Sequence, residues 1–197
     1  GLRLENTIIR GNQTGNPVRN DSSFKRTYTN LFPTVFLQYN LDSAGNNVLG
    51  FNFGRRINRP DYQSLNPFTY PLDRYTLYGG NPFLEPTFSY NFELTHTYKN
   101  WLTTSLKYSF TENEINETIE QGTNIFYSRP GNFGKRISYG ASVNINYKIV
   151  KWWTLQWYNE VQYNSFTGSI YNQTLNNKGT YWVSAPTNMF QLNKSWT

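Results

Sequence analysis

The residues best equipped for chemistry crowd into one stretch. From Gly54 to Phe68 the chain reads GRRINRPDYQSLNPF, and from Gly79 to Pro86 it reads GGNPFLEP. Arg55, Arg56, Arg59, Asp61, Asp73 and Arg74 supply charge there, and Tyr62 supplies an aromatic ring. These types suit recognition and not bond-breaking. Guanidiniums and carboxylates hydrogen-bond a solute, while Phe68, Tyr70, Tyr75 and Tyr78 can stack on rings or sugars or pin the loop down. The seven residues Arg55, Arg56, Arg59, Asp61, Tyr62, Asp73 and Arg74 are the candidate ligand-binding set; a salt-bridged loop packed on its neighbours is the structural alternative. A second cluster, Glu112, Glu114, Glu117 and Glu120, fits no calcium-loop spacing and reads as a solvated acidic hairpin. His96 is the single histidine and falls on an apolar strand face. There is no cysteine, so neither a disulfide scaffold nor a thiolate metal site is available. No nucleophile-elbow, zincin, P-loop or dinucleotide motif occurs. No enzymatic activity, metal or cofactor is expected, and no nucleic-acid partner.

The elements that carry these residues are strands of unusual length. In Phe88–Tyr98 one face reads Phe88, Tyr90, Phe92, Leu94, His96, Tyr98, and the other reads Ser89, Asn91, Glu93, Thr95, Thr97. Ile137–Ile149 repeats the pattern, with Tyr139, Val143 and Tyr147 against Ser138, Ser142 and Asn146. A period of two means β-strand, because alternate side chains leave opposite faces. About 11 residues at ~3.3 Å each, tilted near 40°, rise roughly 28 Å, the height of a bilayer's apolar band. Composition agrees. Charged residues are 15% and aromatics 18% of the chain, where a soluble domain carries about 25% charge. Net charge is +6, which reads as scattered lumen and loop cations or as a pull toward acidic lipid or an anionic solute.

Eight strands are expected: Leu2–Arg10, Thr29–Leu41, Val48–Ile57, Phe88–Tyr98, Trp101–Glu112, Ile137–Ile149, Trp153–Ser165 and Thr180–Leu192. Pro186 breaks the last pattern and favours an edge or a bulge. Connections alternate in length. Asp42–Asn47, Lys99-Asn100 and Val150–Trp152 are tight turns. Gly11–Arg26, Asn58–Thr87, Asn113–Arg136 and Phe166–Gly179 are long and structureless in this reading. Tyr39, Tyr98, Trp101, Tyr147, Trp152 and Trp153 crowd the short-turn rim, and Tyr108, Phe110, Tyr139 and Tyr163 lie toward the other, as in the two interfacial girdles of a membrane barrel. The expected fold is all-β: an antiparallel up-and-down meander of about eight long strands, part of a large transmembrane β-barrel, with residues 1–197 forming one partial-barrel segment. A small self-contained outer-membrane barrel and a soluble carbohydrate-binding β-sandwich are the rival readings.

The runs RRINRPDYQSLNPF, GNPFLEPTFSYNFELTHTYKN and NLFPTVFLQYNL resemble the barrel region of Bacteroidetes TonB-dependent outer-membrane receptors, the outer membrane protein beta-barrel family. The likeness runs from Gly1 to Thr197. The loop motifs carry it most specifically, and the strands are generic. It implies a wall segment of a receptor that takes up a scarce nutrient (chelated metal, glycan or peptide). The implied partners are outer-membrane lipid, the rest of the barrel with its plug domain, the TonB system through the full-length protein, and a small solute. The complete family pattern adds a signal peptide and a plug, neither of which is read in this stretch, and Ser195-Trp196-Thr197 reads as the next turn.

Overall fold

The computed structural model describes residues 1–14, 22–170 and 173–191. The expected strand end at Leu192 and the turn at Ser195-Trp196-Thr197 lie outside the described residues. In chain order the elements are β1 (Leu2–Gln13), β2 (Ser22–Asn40), β3 (Asn47–Asn58), α1 (Tyr62–Leu65), β4 (Thr69–Pro71), β5 (Thr76–Gly79), β6 (Thr87–Tyr98), β7 (Leu102–Glu112), β8 (Ile115–Gln121), β9 (Phe126–Asn132), β10 (Lys135–Val150), β11 (Trp153–Ile170) and β12 (Gln173–Phe190). Eight of them form one antiparallel sheet in the order β1-β2-β3-β6-β7-β10-β11-β12. These are the eight expected strands, and the sheet is a meander. Among the described residues no pairing joins β1 to β12, so the wall is open. β12, which carries Pro186 opposite Trp157, lies at its border.

Register turns alternation into two surfaces. Phe53, Phe92, Tyr108, Tyr139 and Tyr163 stand opposite one another across five successive strands. Ring centroids in this row are 4.7 Å apart for Phe53–Phe92 and 4.9 Å for Tyr139–Tyr163. One residue away along each strand the row reads Asn52, Glu93, Lys107, Gly140, Gln162. A slip of one residue would exchange the aromatic row for the polar one, so both pin the register. Gly140 is required by the close approach of β11. A Cβ there would strike the carbonyl oxygen of Val161 and lie 3.0 Å from the Cα of Gln162.

The wall is a single layer and has almost no interior. Phe32 and Leu84 are the buried hydrophobic residues among those described, while Leu37, Leu94, Leu106 and Val161 are exposed on the apolar face. Such a face is stable only against an apolar medium. At the short-turn rim, Trp101 meets Tyr98 and Tyr147 at 6.0 and 5.2 Å, and Trp152 meets Trp153 at 6.4 Å. The β6–β7 turn holds Lys99 and Asn100 at φ 45° and 60°, a left-handed pair closed by the Trp101 amide donating to the Tyr98 oxygen at 3.2 Å.

Two of the long connections are corrected. β1–β2 pairing continues up to Gln13↔Ser22, and β11–β12 pairing up to Ile170↔Gln173. Gly11–Gln13, Ser22–Arg26, Phe166–Ile170 and Gln173–Gly179 are therefore strand. Above the bilayer both faces meet water, so Thr174–Lys178 needs no apolar alternation to stay paired. The wall also parts locally. β2 pairs with β3 only up to Thr34↔Gly54. Beyond that, Arg55 crosses the gap. Its Nη1 donates to the carbonyl oxygen of Leu31 at 2.8 Å, and buried Phe32 lies within cation–π reach of Arg3 and Arg55, at 5.1 and 5.6 Å.

Candidate functional site

The other two long connections, Arg59–Pro86 and Asn113–Gly134, fold on each other. Their strands make a separate four-stranded sheet, β4-β5-β9-β8, in which β5 of the first loop runs parallel to β9 of the second. Structureless loops were expected; a shared sheet satisfies their backbone groups instead.

The conspicuous first-loop motif is the fastening between the two. Asp61 accepts a hydrogen bond from the Ser64 amide at 2.6 Å and so caps α1. That amide holds the Asp61 carboxyl below its ordinary pKa. Asp73 accepts from the amides of Tyr75 and Thr76 at 2.7 and 2.8 Å, turning the chain from β4 into β5, and is likewise held low. Gly80 packs against the carbonyl end of α1. Any Cβ there would meet the oxygens of Asn66, Ser64 and Gln63, the last two at 2.6 and 2.7 Å. Asn81 follows, donating its amide N–H to the Ser64 oxygen at 2.6 Å and its Nδ2 to the oxygen of Pro130 in the second loop at 3.2 Å. Asn132 completes the closure. Its Oδ1 accepts from the Glu85 amide at 2.7 Å, and its Nδ2 donates to the oxygens of Glu85 and Asn113 at 2.8 and 2.9 Å.

The four glutamates do not form a cluster. Glu114 accepts from Arg136 Nε at 2.9 Å, Glu117 from the Ser128 hydroxyl, and Glu120 from Arg129 Nη2 at 2.7 Å. The acidic stretch is thus the end of β7, the turn that follows and β8, with Glu117 and Glu120 on β8 partnered along β9 and Glu114 of the turn partnered on β10. Among the described residues no group of three or more His, Cys, Asp or Glu side chains is placed to hold a metal.

The seven candidate residues do not converge. Arg55 is stacked over Phe88 and Tyr90 at 4.4 and 5.5 Å. Arg59 pairs with Glu5 and lies 3.3 Å from the Thr7 hydroxyl. Asp61 and Asp73 serve their turns, and Arg74 stacks on Tyr75 at 5.7 Å. Arg56 borders a groove of ≈ 470 Å³ with Arg3, Phe32 and Thr34, and Tyr62 stands exposed. A larger concavity lies elsewhere: a cleft of ≈ 880 Å³ between the loop sheet and the tip of β11, lined by Asn81, Phe83, Glu120, Tyr127, Arg129, Phe133 and Ser169, among others. Most of these side chains come from the second loop. The sequence reading singled out only carboxylates there. Its readable signal was the run Phe126–Asn132, aromatic and basic between glycines.

An open wall of long antiparallel strands, apolar on one face and polar on the other, with tight turns at one rim and folded loops at the other, defines the outer-membrane β-barrel class. The chain belongs to the outer membrane protein beta-barrel family, whose model matches residues 1–197, and the outer membrane is its location. The siderophore receptor PirA from Pseudomonas aeruginosa is similar in fold, with a TM-score of 0.58 at 13% identity; the match covers 98% of this chain and 43% of that receptor. A mutant of the ferric enterobactin receptor PfeA from Pseudomonas aeruginosa, solved with enterobactin, gives a TM-score of 0.53 at 13% identity and covers 96% and 36%. The chain thus spans less than half the length of either receptor. No protein of curated function matches the sequence significantly.

Proposed function

We propose that this chain is a wall segment of a TonB-dependent uptake receptor of the Bacteroidetes type. A plug from elsewhere in the same protein would fill its lumen, and energy relayed from the inner membrane would drive a scarce solute through. The observation that carries this reading is the open eight-stranded wall crowned by a folded loop sheet. A small closed barrel would pair its first and last strands. A receptor wall continues past them and needs a structured surface at the mouth, where solute is caught. The loop sheet supplies that surface, with Tyr62 and Arg74 on its outer parts and Arg56 at the rim below. Apolar rows such as Phe53–Tyr163 face lipid, and the polar rows face the lumen.

The test is genetic. Cells lacking the full-length gene should lose uptake of one nutrient class from a labelled panel of ferric chelates, glycans and peptides. The intact gene should restore it, and a gene lacking residues 115–132 should not, although that protein still reaches the outer membrane. Uptake of every panel member at the parental rate in the deletion strain would refute the transport reading.

A further inference from the structure

We infer that the ≈ 880 Å³ cleft binds a neutral polyhydroxylated solute, a glycan, and not an anionic metal chelate. The inference rests on the uptake reading and deepens it. The cleft's volume falls in the range of small-molecule sites, roughly 300–1,000 Å³. Its charged lining residues are Glu120 and Arg129, joined by a 2.7 Å ion pair on neighbouring strands. The pair is half-exposed, with 43% and 54% of the two side chains open to solvent. A carboxylate only accepts hydrogen bonds and a guanidinium only donates them. A hydroxyl does both, so adjacent hydroxyls of a sugar match the pair. An anion would be repelled by Glu120 as it was attracted by Arg129, and among the described residues the lining holds no other charged side chain; Arg26, 5.8 Å over the Phe83 ring, is spent on the carbonyl oxygens of Phe83 and Leu84.

The aromatic lining points the same way. Phe83 is 71% and Tyr127 38% exposed, and both border the cleft with Phe133. Glycines let rings lie on bare backbone. Tyr127 Cε2 sits 3.6 Å from where a Cβ of Gly122 would be, and Phe133 Cδ1 3.0 Å from that of Gly131. A sugar ring carries C–H groups on one face and hydroxyls at its edge. The electron-rich face of an aromatic ring takes the C–H side, leaving the hydroxyl edge for the ion pair.

The experiment uses the full-length receptor in detergent, titrated calorimetrically. The probes are neutral tri- and tetrasaccharides of glucose, mannose, galactose and N-acetylglucosamine, and a ferric tricatecholate. At least one neutral sugar should bind, with an affinity that changes less than twofold between 50 and 500 mM NaCl, because no net charge is neutralised. Tyr127→Ala and Arg129→Ala should each weaken it about tenfold or more. Tyr127→Phe should retain it, which separates stacking from loss of the fold. Absence of sugar binding overturns the inference, as does sugar binding untouched by both alanine variants. Binding of the chelate alone also overturns it while leaving the uptake reading intact. Failure of the uptake reading itself would show separately, as a deletion strain with no transport defect.

Discussion

The membrane wall and the loop sheet above it are both β-structure, yet they are specified in different ways. In the wall, pattern does the work. Any apolar residue serves on one face and any small polar residue on the other, and the pairing between strands tolerates exchange within a face. In the loop sheet, individual residues do it. Gly80, Asn81 and Asn132 each hold a contact that no residue of similar polarity can make. The wall is stabilised by its medium, and the loop sheet by hydrogen bonds among its own turns. The first should therefore fail when a face is violated, and the second when one named atom is removed.

The largest effect tests the wall. Val143 stands midway between Tyr139 and Tyr147 on the apolar face of β10, and Asn144 is its neighbour on the polar face. Val143→Arg places a cation near the bilayer midplane, at a cost of roughly 2–4 kcal/mol, and should abolish assembly of the full-length receptor. Asn144→Arg should be tolerated. Heat-modifiable migration of outer-membrane fractions reads out both, and equal tolerance at the two sites would remove the lipid-facing assignment. The complementary change in the loops is Gly80→Ala. Its new methyl meets backbone oxygens of α1, which cannot swing aside as a side chain would, so α1 must be displaced at about 1–3 kcal/mol. The wall should assemble normally and the loop sheet should loosen.

The smaller loop lesion is Asn132→Ala. It removes three hydrogen bonds, two that join the loops through Glu85 and one within the second loop to Asn113, and, since water reaches them, should cost about 1 kcal/mol. Hydrogen exchange should quicken in β5, β8 and β9 and stay unchanged in β6 and β7. Equal quickening in the wall strands would show that the two regions are one cooperative unit and would erase the distinction.

This division also sets what could be read from the sequence. The eight wall strands were legible to within a few residues wherever alternation is enforced by lipid, as in Phe88–Tyr98 and Ile137–Ile149. Legibility stopped where lipid does. Thr174–Lys178 and Gly11–Gln13 are strand, but both of their faces are wet and nothing in their composition says so. Ile115–Gln121 was visible only through its carboxylates, because the residues that make it a strand, Phe126–Asn132 with Ser128 and Arg129 among them, come from later in the chain. The candidate residues fared similarly. Their chemistry was plain, but five of the seven are occupied by neighbours. Phe88 for Arg55 and Glu5 for Arg59 come from elsewhere in the chain and no local rule announces them, whereas the Ser64 amide for Asp61 and the Tyr75 amide for Asp73 are helix-cap and turn partners two or three residues on, and the Tyr75 ring takes Arg74.

The gentlest probe is acid. Asp61 and Asp73 accept backbone amides and are held below their ordinary carboxylate value of 3.8. A carboxylate whose pKa is lower in the folded than in the unfolded chain stabilises the fold above the unfolded value, and this contribution disappears as pH falls through the folded one. The loop sheet should therefore be indifferent between pH 7 and 5 and should lose protection at α1 and the β4–β5 turn only below about pH 3.8. Both groups are fully exposed, so the change is local and small. Among the described residues no carboxylate of β6 or β7 caps a backbone amide as these two do, and protection in the β6–β7 wall should change less over the same range. Exchange protection, corrected for the intrinsic pH dependence of amide exchange, measures this peptide by peptide. Asp61→Asn and Asp73→Asn remove the titrating charge and should flatten the acid response of their own turns while keeping an oxygen acceptor in place. An acid response that survives both substitutions, or that begins near neutral pH in wall and loops alike, would mean that the carboxylate caps do not set the stability of the loop sheet.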